Sequence, residues 1–135
     1  MVGLVLVAHS AVLLDGLRAM IAQTAPAVPV GLAGGTGSGT LGTSATCVLA
    51  ALHETLAIAP SGAVVLVDLG SAMLAVEIAL EEATEDERAR TRISAGPIVE
   101  GAILAAVEAA AGATIDDVVV AADSAALRPK LPGLA

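Results

Sequence analysis

Short unbroken apolar runs alternate along the chain with segments whose apolar residues recur every three or four positions. Val2–Ala8 is the first such run, rich in Val and Leu. Apolar residues at consecutive positions mark a strand covered on both faces, as in a parallel sheet. Leu13–Gln23 then carries apolar residues at 13, 14, 17, 20 and 21, a helical spacing. Pro26 and Pro29 punctuate, and Val28–Ala33 reads as a second short strand. The glycine-rich loop Gly34–Gly42 leads into Thr43–Leu56, a predicted helix with Val48, Leu49, Leu52 and Leu56 on one stripe.

After the turn Pro60-Ser61-Gly62, Ala63–Leu69 reads as a third buried strand and Ala72–Glu82 as a helix. Glu81–Arg92 is the one charged stretch, read as a solvated helix end and loop. Arg92–Ala95 is a short fourth strand, and Ile98–Ala111 a helix with Pro97 near its start. Thr114–Ala126 is divided between two signals. Thr114-Ile-Asp-Asp resembles a capping box with Asp in place of Glu, whereas Val118-Val119-Val120 suits a strand. The balance favours helix. Residues 1–126 are therefore expected to form one domain, and 127–135, with Pro129 and Pro132, a tail or linker. Strands alternating with helices predict an α/β domain around a parallel sheet with right-handed crossovers.

Composition narrows the function. Hydrophobic residues make up 56% of the 135 positions, enough for one packed core, yet Phe, Tyr and Trp are absent. Without aromatics, base stacking on single-stranded nucleic acid is disfavoured. A net charge of −8, with six basic residues, also disfavours phosphate backbones and anionic membrane surfaces. No run approaches the roughly 18 apolar residues of a membrane span. His9 and Asp15 interrupt the first apolar run too early for a signal peptide, and one cysteine, Cys47, cannot form an internal disulfide. The expectation is a cytoplasmic protein with no nucleic-acid or membrane partner.

The glycine loop holds two imitations of phosphate-binding motifs. Gly37-Ser-Gly39-Thr-Leu-Gly42 matches G-x-G-x-x-G, but it follows the second strand. No acidic residue stands at a strand end roughly 20 positions later. Thr43 occupies the position where a triphosphate loop requires lysine. A nucleotide-binding module built on Gly34–Gly42 is therefore the weaker reading, and a connector or a cofactor-free site wall the stronger.

In open α/β sheets, ligands bind outside the carboxyl ends of strands, where strand order reverses. His9 follows the first strand and Asp68 lies near the end of the third. If those strands are neighbours, imidazole and carboxylate meet in one crevice. A carboxylate accepting from Nδ1–H would hold the tautomer that leaves Nε2 free as nucleophile. Ser10 and Ser71 stand close by before helices, where backbone N–H groups favour a phosphoryl group. Each of these residues also has a plainer reading: a strand-end histidine, a turn aspartate, two N-cap serines. No Cys/His cluster points to a metal, and G-x-S-x-G, the nucleophile elbow of serine hydrolases, is absent. His53, Cys47, Glu77, Glu81 and Glu100 read as ordinary helix or surface residues.

Val5-Leu-Val-Ala-His9-Ser10, Gly42-Thr43-Ser44, Val67-Asp68-Leu-Gly70-Ser71-Ala72 and Pro97-Ile-Val-Glu100-Gly101 occur in this order. Together they resemble the phosphotransferase subunits of dihydroxyacetone kinases driven by the phosphoenolpyruvate:sugar phosphotransferase system (PTS). Those subunits are relatives of the mannose-type enzyme IIA domain. The resemblance runs from Val2 to about Ala126. It implies a three-layer α/β/α fold, a four-stranded parallel sheet in order 2-1-3-4, and a homodimer. It implies His9 as the phosphorylated histidine, Asp68 as its partner, and Ser10, Gly70 and Ser71 as phosphoryl-binding neighbours, with Thr43 at the rim.

The implied activity is that of a phosphohistidine carrier without a cofactor. It accepts from the PTS phosphocarrier protein and passes the group to ADP on the nucleotide-binding kinase subunit, while a third subunit presents dihydroxyacetone. No fused carrier domain is visible, so in a complete chain of this kind the donor is a separate protein. Ala8 stands where relatives often have Ser, and Gly35–Gly39 lacks the acidic residues many of them carry there. A negative net charge suits partners with basic docking faces. The alternative is a mannose-type sugar-transport enzyme IIA that hands its phosphoryl group to a IIB protein; the P-x-V-E-G segment favours the kinase subunit.

Overall fold

In the computed structural model, which describes residues 1–133, every second residue of the first strand goes to a different hydrophobic layer. This strand, β1 (Gly3–Ala8), directs Leu4, Leu6 and Ala8 to one side and Val5 and Val7 to the other, all fully buried. The next elements are α1 (Ala11–Thr24), β2 (Val30–Gly34), α2 (Ala45–Ile58) and β3 (Ala63–Val67). A single turn of 3₁₀ helix at Gly70–Ala72 leads into α3 (Met73–Glu82). Then come α4 (Glu85–Ala89), β4 (Thr91–Ile93), α5 (Ile98–Ala110) and α6 (Ile115–Ser124), which closes on a 3₁₀ turn at Ala125–Leu127.

The four strands are all parallel, in order β2-β1-β3-β4. Leu14, Leu17 and Ile21 of α1 pack with the alanine-lined face of α5 and with Val118 and Ala122 of α6 on one side of the sheet. Val48, Leu52 and Leu56 of α2 pack with Ala75, Val76 and Ala79 of α3 on the other. The result is three layers, helices over sheet over helices. Two independent dry clusters explain why the strands read as continuous apolar runs.

Serine caps set where α1 and α2 begin. Ser10 Oγ accepts from the Leu13 N–H, and Ser44 Oγ from the Cys47 N–H. So α1 starts two residues before the periodic pattern does, and Thr43 lies outside α2, ahead of its cap. The Thr114–Ala126 segment is helical. Thr114 Oγ1 accepts from the Asp117 N–H, and Asp116 and Asp117 occupy the first turn, where the dipole favours them. Capping and burial of Val118 outweigh the strand preference of three successive valines.

Two further departures from the sequence reading have clear local causes. The charged stretch contains a helix, α4, closed by a full capping box. Thr84 Oγ1 accepts from the Glu87 N–H, and the Glu87 carboxylate accepts from the Thr84 N–H. The pattern Thr84-Glu-Asp-Glu87 was the signal, masked by charges that look like a solvated run. β4 runs over Thr91–Ile93 rather than Arg92–Ala95. The Ser94 N–H still donates to Val65 O at 2.9 Å, and beyond it the Asp123 carboxylate of α6 accepts from both the Ser94 hydroxyl (2.6 Å) and the Ala95 N–H (2.9 Å), which ends the strand. Of the predicted tail, residues 128–133 carry no helix or strand, and residues 134–135 lie outside the described residues.

Candidate functional site

Strand order reverses between β1 and β3, which leave the centre of the sheet in opposite directions. Their register pairs Val7 with Val67, so the next residues of each strand emerge together at the carboxyl edge. The Asp68 N–H donates to Val7 O at 3.0 Å and carries the ladder one step further. His9 and Asp68 are thereby delivered to the same point, although 59 residues separate them.

Asp68 is the hub. Its Oδ2 accepts from the His9 backbone N–H at 2.9 Å, and its Oδ1 from the Leu69 N–H at 2.8 Å. The His9 Nδ1 lies 3.1 Å from both carboxylate oxygens. The Asp68 side chain is 15% exposed. That burial pushes the carboxyl pKa up, but the hydrogen bonds from the His9 backbone, the His9 ring and Leu69, joined by the ring's charge when it is protonated, outweigh it. The net position is below the ordinary 3.8. An ionised carboxylate can only accept, so the ring proton resides on Nδ1 and the lone pair on Nε2.

Nε2 faces the opening, with the ring 30% exposed. Ser71 Oγ lies 3.2 Å from it, so the serine hydroxyl donates to the lone pair. Asp68, His9 and Ser71 thus form one polarised chain. The glycine loop clamps the other side of His9. The Gly42 N–H donates to His9 O at 3.0 Å, from a φ of 137° that disfavours a side chain. Gly34 comes so close to the start of α1 that a Cβ there would lie 2.5 Å from the Ala11 Cα. The loop is a fitted wall of the site.

Of the six residues singled out from sequence, His9, Asp68 and Ser71 are in direct contact, and Gly70 opens the turn that carries Ser71. Ser10 caps α1 directly after His9. Among the described residues Thr43 makes no side-chain hydrogen bond; Gly42, its neighbour, makes the contact to His9. His53 lies apart from this site. Its Nδ1 is 2.5 Å from Glu87 Oε1, a pairing of α2 with α4 that sequence spacing does not show. Glu100, in the first turn of α5, pairs with Lys130. Beyond Asp68 a cavity of about 490 Å³ opens over the ends of β3 and β4, lined by Leu69, Met73, Ile93 and Pro97 among others. Among the described residues no group of three His, Cys, Asp or Glu side chains is placed to hold a metal ion, and no helix is long and apolar enough to cross a membrane.

A three-layer domain with a carboxylate-held histidine at the switch point defines a class, and the comparisons agree. Residues 3–119 match the EIIA-man family, described as the PTS system fructose IIA component. The chain belongs to that family, and to the DhaM subunits that its curated relatives represent. The phosphoryl donor subunit DhaM of PEP-dependent dihydroxyacetone kinase 2 from Listeria innocua is 36% identical over 111 residues, covering 80% of this chain and 86% of the relative. The corresponding subunits from Providencia stuartii and Escherichia coli are 36% and 37% identical, over 93% and 88% of this chain. The chain spans only 27% and 26% of the length of those two relatives. A crystal structure of a protein of unknown function, EF1359, superimposes with a TM-score of 0.81 at 28% identity, covering 91% of this chain and 93% of that one.

Proposed function

We propose that this chain is the phosphohistidine carrier of a PTS-driven dihydroxyacetone kinase, acting in the cytoplasm. One observation supports it above the rest: an ionised carboxylate holds Nδ1 of His9, and the exposed Nε2 carries the lone pair. In this reading Nε2 attacks the phosphorus of a phosphorylated PTS phosphocarrier protein. The new N–P bond forms as the donor's own bond to phosphorus breaks and its electron pair returns to the donor. The Nδ1 proton stays in place and Asp68 stabilises the positive charge that develops on the ring. In the second transfer a β-phosphate oxygen of ADP, held on the kinase's nucleotide-binding subunit, displaces Nε2 and ATP forms there.

Positioning and electrostatics supply the catalysis. Ser71 is placed to turn its hydroxyl from Nε2 to a phosphoryl oxygen, and the Gly70 turn and α1 begin within two residues of Asp68 and His9, where helix starts favour an anion. Ser10 and Thr43 complete the proposed phosphoryl surroundings. Residues 1–126 are the proposed phosphotransferase unit, with 127–135 a tail or linker, and the working unit is a homodimer. The test is incubation with phosphoenolpyruvate, enzyme I and the phosphocarrier protein, followed by peptide mapping. Acid-labile, base-stable phosphate on His9, chased to ATP by an ADP-loaded kinase subunit, is the expected result. Transfer to a IIB protein and not to ADP would favour the sugar-transport alternative.

A further inference from the structure

The loop that walls the site has few side chains of its own to hold it. Glycine occupies positions 34, 35, 37, 39 and 42, and residues 37–41 are exposed. A glycine-rich segment has much conformational freedom to lose on folding. Yet this one ends in a fixed contact, the Gly42 N–H on His9 O. One half-buried residue, Thr36, supplies the order. Among the described residues, both side-chain hydrogen bonds within the loop run through it. Its hydroxyl lies between Thr40 Oγ1 at 2.5 Å and Ser38 Oγ at 3.0 Å, and can donate to one while accepting from the other. Its N–H donates to Thr40 O at 3.1 Å. Its methyl group fills the space beside Gly42, only 2.9 Å from where a Cβ on that glycine would stand.

We propose that Thr36 is a positioning residue for transfer at His9, its hydroxyl tying the loop into the shape that presents the Gly42 N–H to the His9 carbonyl. The proposal rests on the phosphohistidine-carrier reading above. The His9 backbone is gripped on both sides. Asp68 Oδ2 accepts from its N–H at 2.9 Å, and the Gly42 N–H donates to its carbonyl at 3.0 Å. Together these bonds set the direction in which the ring leaves the chain, and so the line along which Nε2 meets phosphorus. Transfer depends steeply on that alignment. Among the described residues Thr36 makes no hydrogen bond to His9, so its effect passes through Gly42. Because the Thr36 hydroxyl bonds compete with water, their loss slows transfer by a modest factor and does not abolish it.

Phosphoramidate, a small phosphoryl donor, separates this step from protein docking. The second-order rate constant of His9 phosphorylation is measured for the native chain, Thr36→Val, Thr36→Ser, Thr40→Val and the double valine variant. Valine keeps the shape and removes the hydroxyl, whereas serine keeps the hydroxyl. Thr36→Val is expected to lower the rate constant about fivefold and to speed hydrogen exchange at the Gly42 amide. Thr36→Ser is expected to restore at least about half the native rate. Thr40→Val cuts the same bond from the exposed end of the loop, so the double variant should fall no further than Thr36→Val. Thr40→Val also carries the test alone if Thr36→Val does not fold. A native rate in the folded valine variants, or Thr36→Ser as slow as Thr36→Val, would overturn the positioning role and leave the carrier reading standing. If the native chain takes no phosphate on His9 from phosphoramidate or from the phosphocarrier protein, both fall.

Discussion

At the scale of single residues, two histidines share the chain and only one has the geometry for transfer. His9 faces a carboxylate at Nδ1 and the opening at Nε2, whereas His53 spends its Nδ1 on Glu87, away from the strand ends. His9→Ala should abolish phosphoryl acceptance and His53→Ala leave it intact, checked by mapping the labelled peptide. Asp68→Asn keeps the shape but loses the charge and admits the wrong tautomer. The expected loss in the rate of His9 phosphorylation is on the order of 10²-fold, less than the ~10⁴-fold seen in protease triads because phosphoryl transfer relies more on positioning. Asp68 also leaves a mark on stability. Its carboxyl titrates below the ordinary 3.8 in the folded protein, so folding favours the ionised form. The stability this contributes is present above the unfolded value and is lost as pH falls through the lower folded value. In urea unfolding, the native chain should lead Asp68→Asn at neutral pH, and the gap should narrow from about pH 4 downwards.

At the scale of elements, small local hydrogen bonds decide boundaries that in turn aim the site. Ser10 starts α1 immediately after His9, which fixes the direction in which the chain leaves the histidine. Asp123 of α6 holds Ser94 and Ala95 just beyond β4, and those two residues line the far side of the larger cavity. The capping box of α4 is a similar device, placed away from the chemistry. Thr84→Ala removes one half of it and should cost about 1 kcal/mol, read as a lower urea midpoint. Phosphoryl acceptance at His9 should not change, because α4 contributes no residue to the site. The Thr84-x-x-Glu87 pattern was legible in the chain. It was obscured by adjacent acids and bases whose commonest role is a solvated surface.

At the scale of the whole molecule, the outer face of α1 and α5 is apolar without being covered. Met20, Val99, Ile103 and Leu104 line a groove there, next to Arg128. Alanine-rich helices without aromatic anchors pack closely and flatly, which suits a second copy of the chain. Sedimentation at micromolar concentration should therefore give twice the 13.1 kDa chain mass; a monomer at that concentration would reject the homodimer. The site rim lies at the carboxyl edge of the sheet, so an interface on the helical layer leaves His9 open to its partners.

The alternation of strand and helix was legible from local pattern alone, because burial on both faces leaves continuous apolar runs and burial on one leaves a helical stripe. So were the two central residues of the candidate site: a histidine and an aspartate at the ends of apolar runs are conspicuous where every neighbour is apolar or small. Their meeting was not. From the residues alone it was conditional on the first and third strands being neighbours; the order 2-1-3-4 came from family resemblance. The tertiary structure decided it through a ladder that pairs Val7 with Val67, and it alone placed the Gly42 N–H on His9, Asp123 on the Ser94 turn and Glu87 on His53. The physical reason is common to all four. Each contact joins residues 29 to 60 positions apart, and local propensity carries no information about which distant groups a fold brings together.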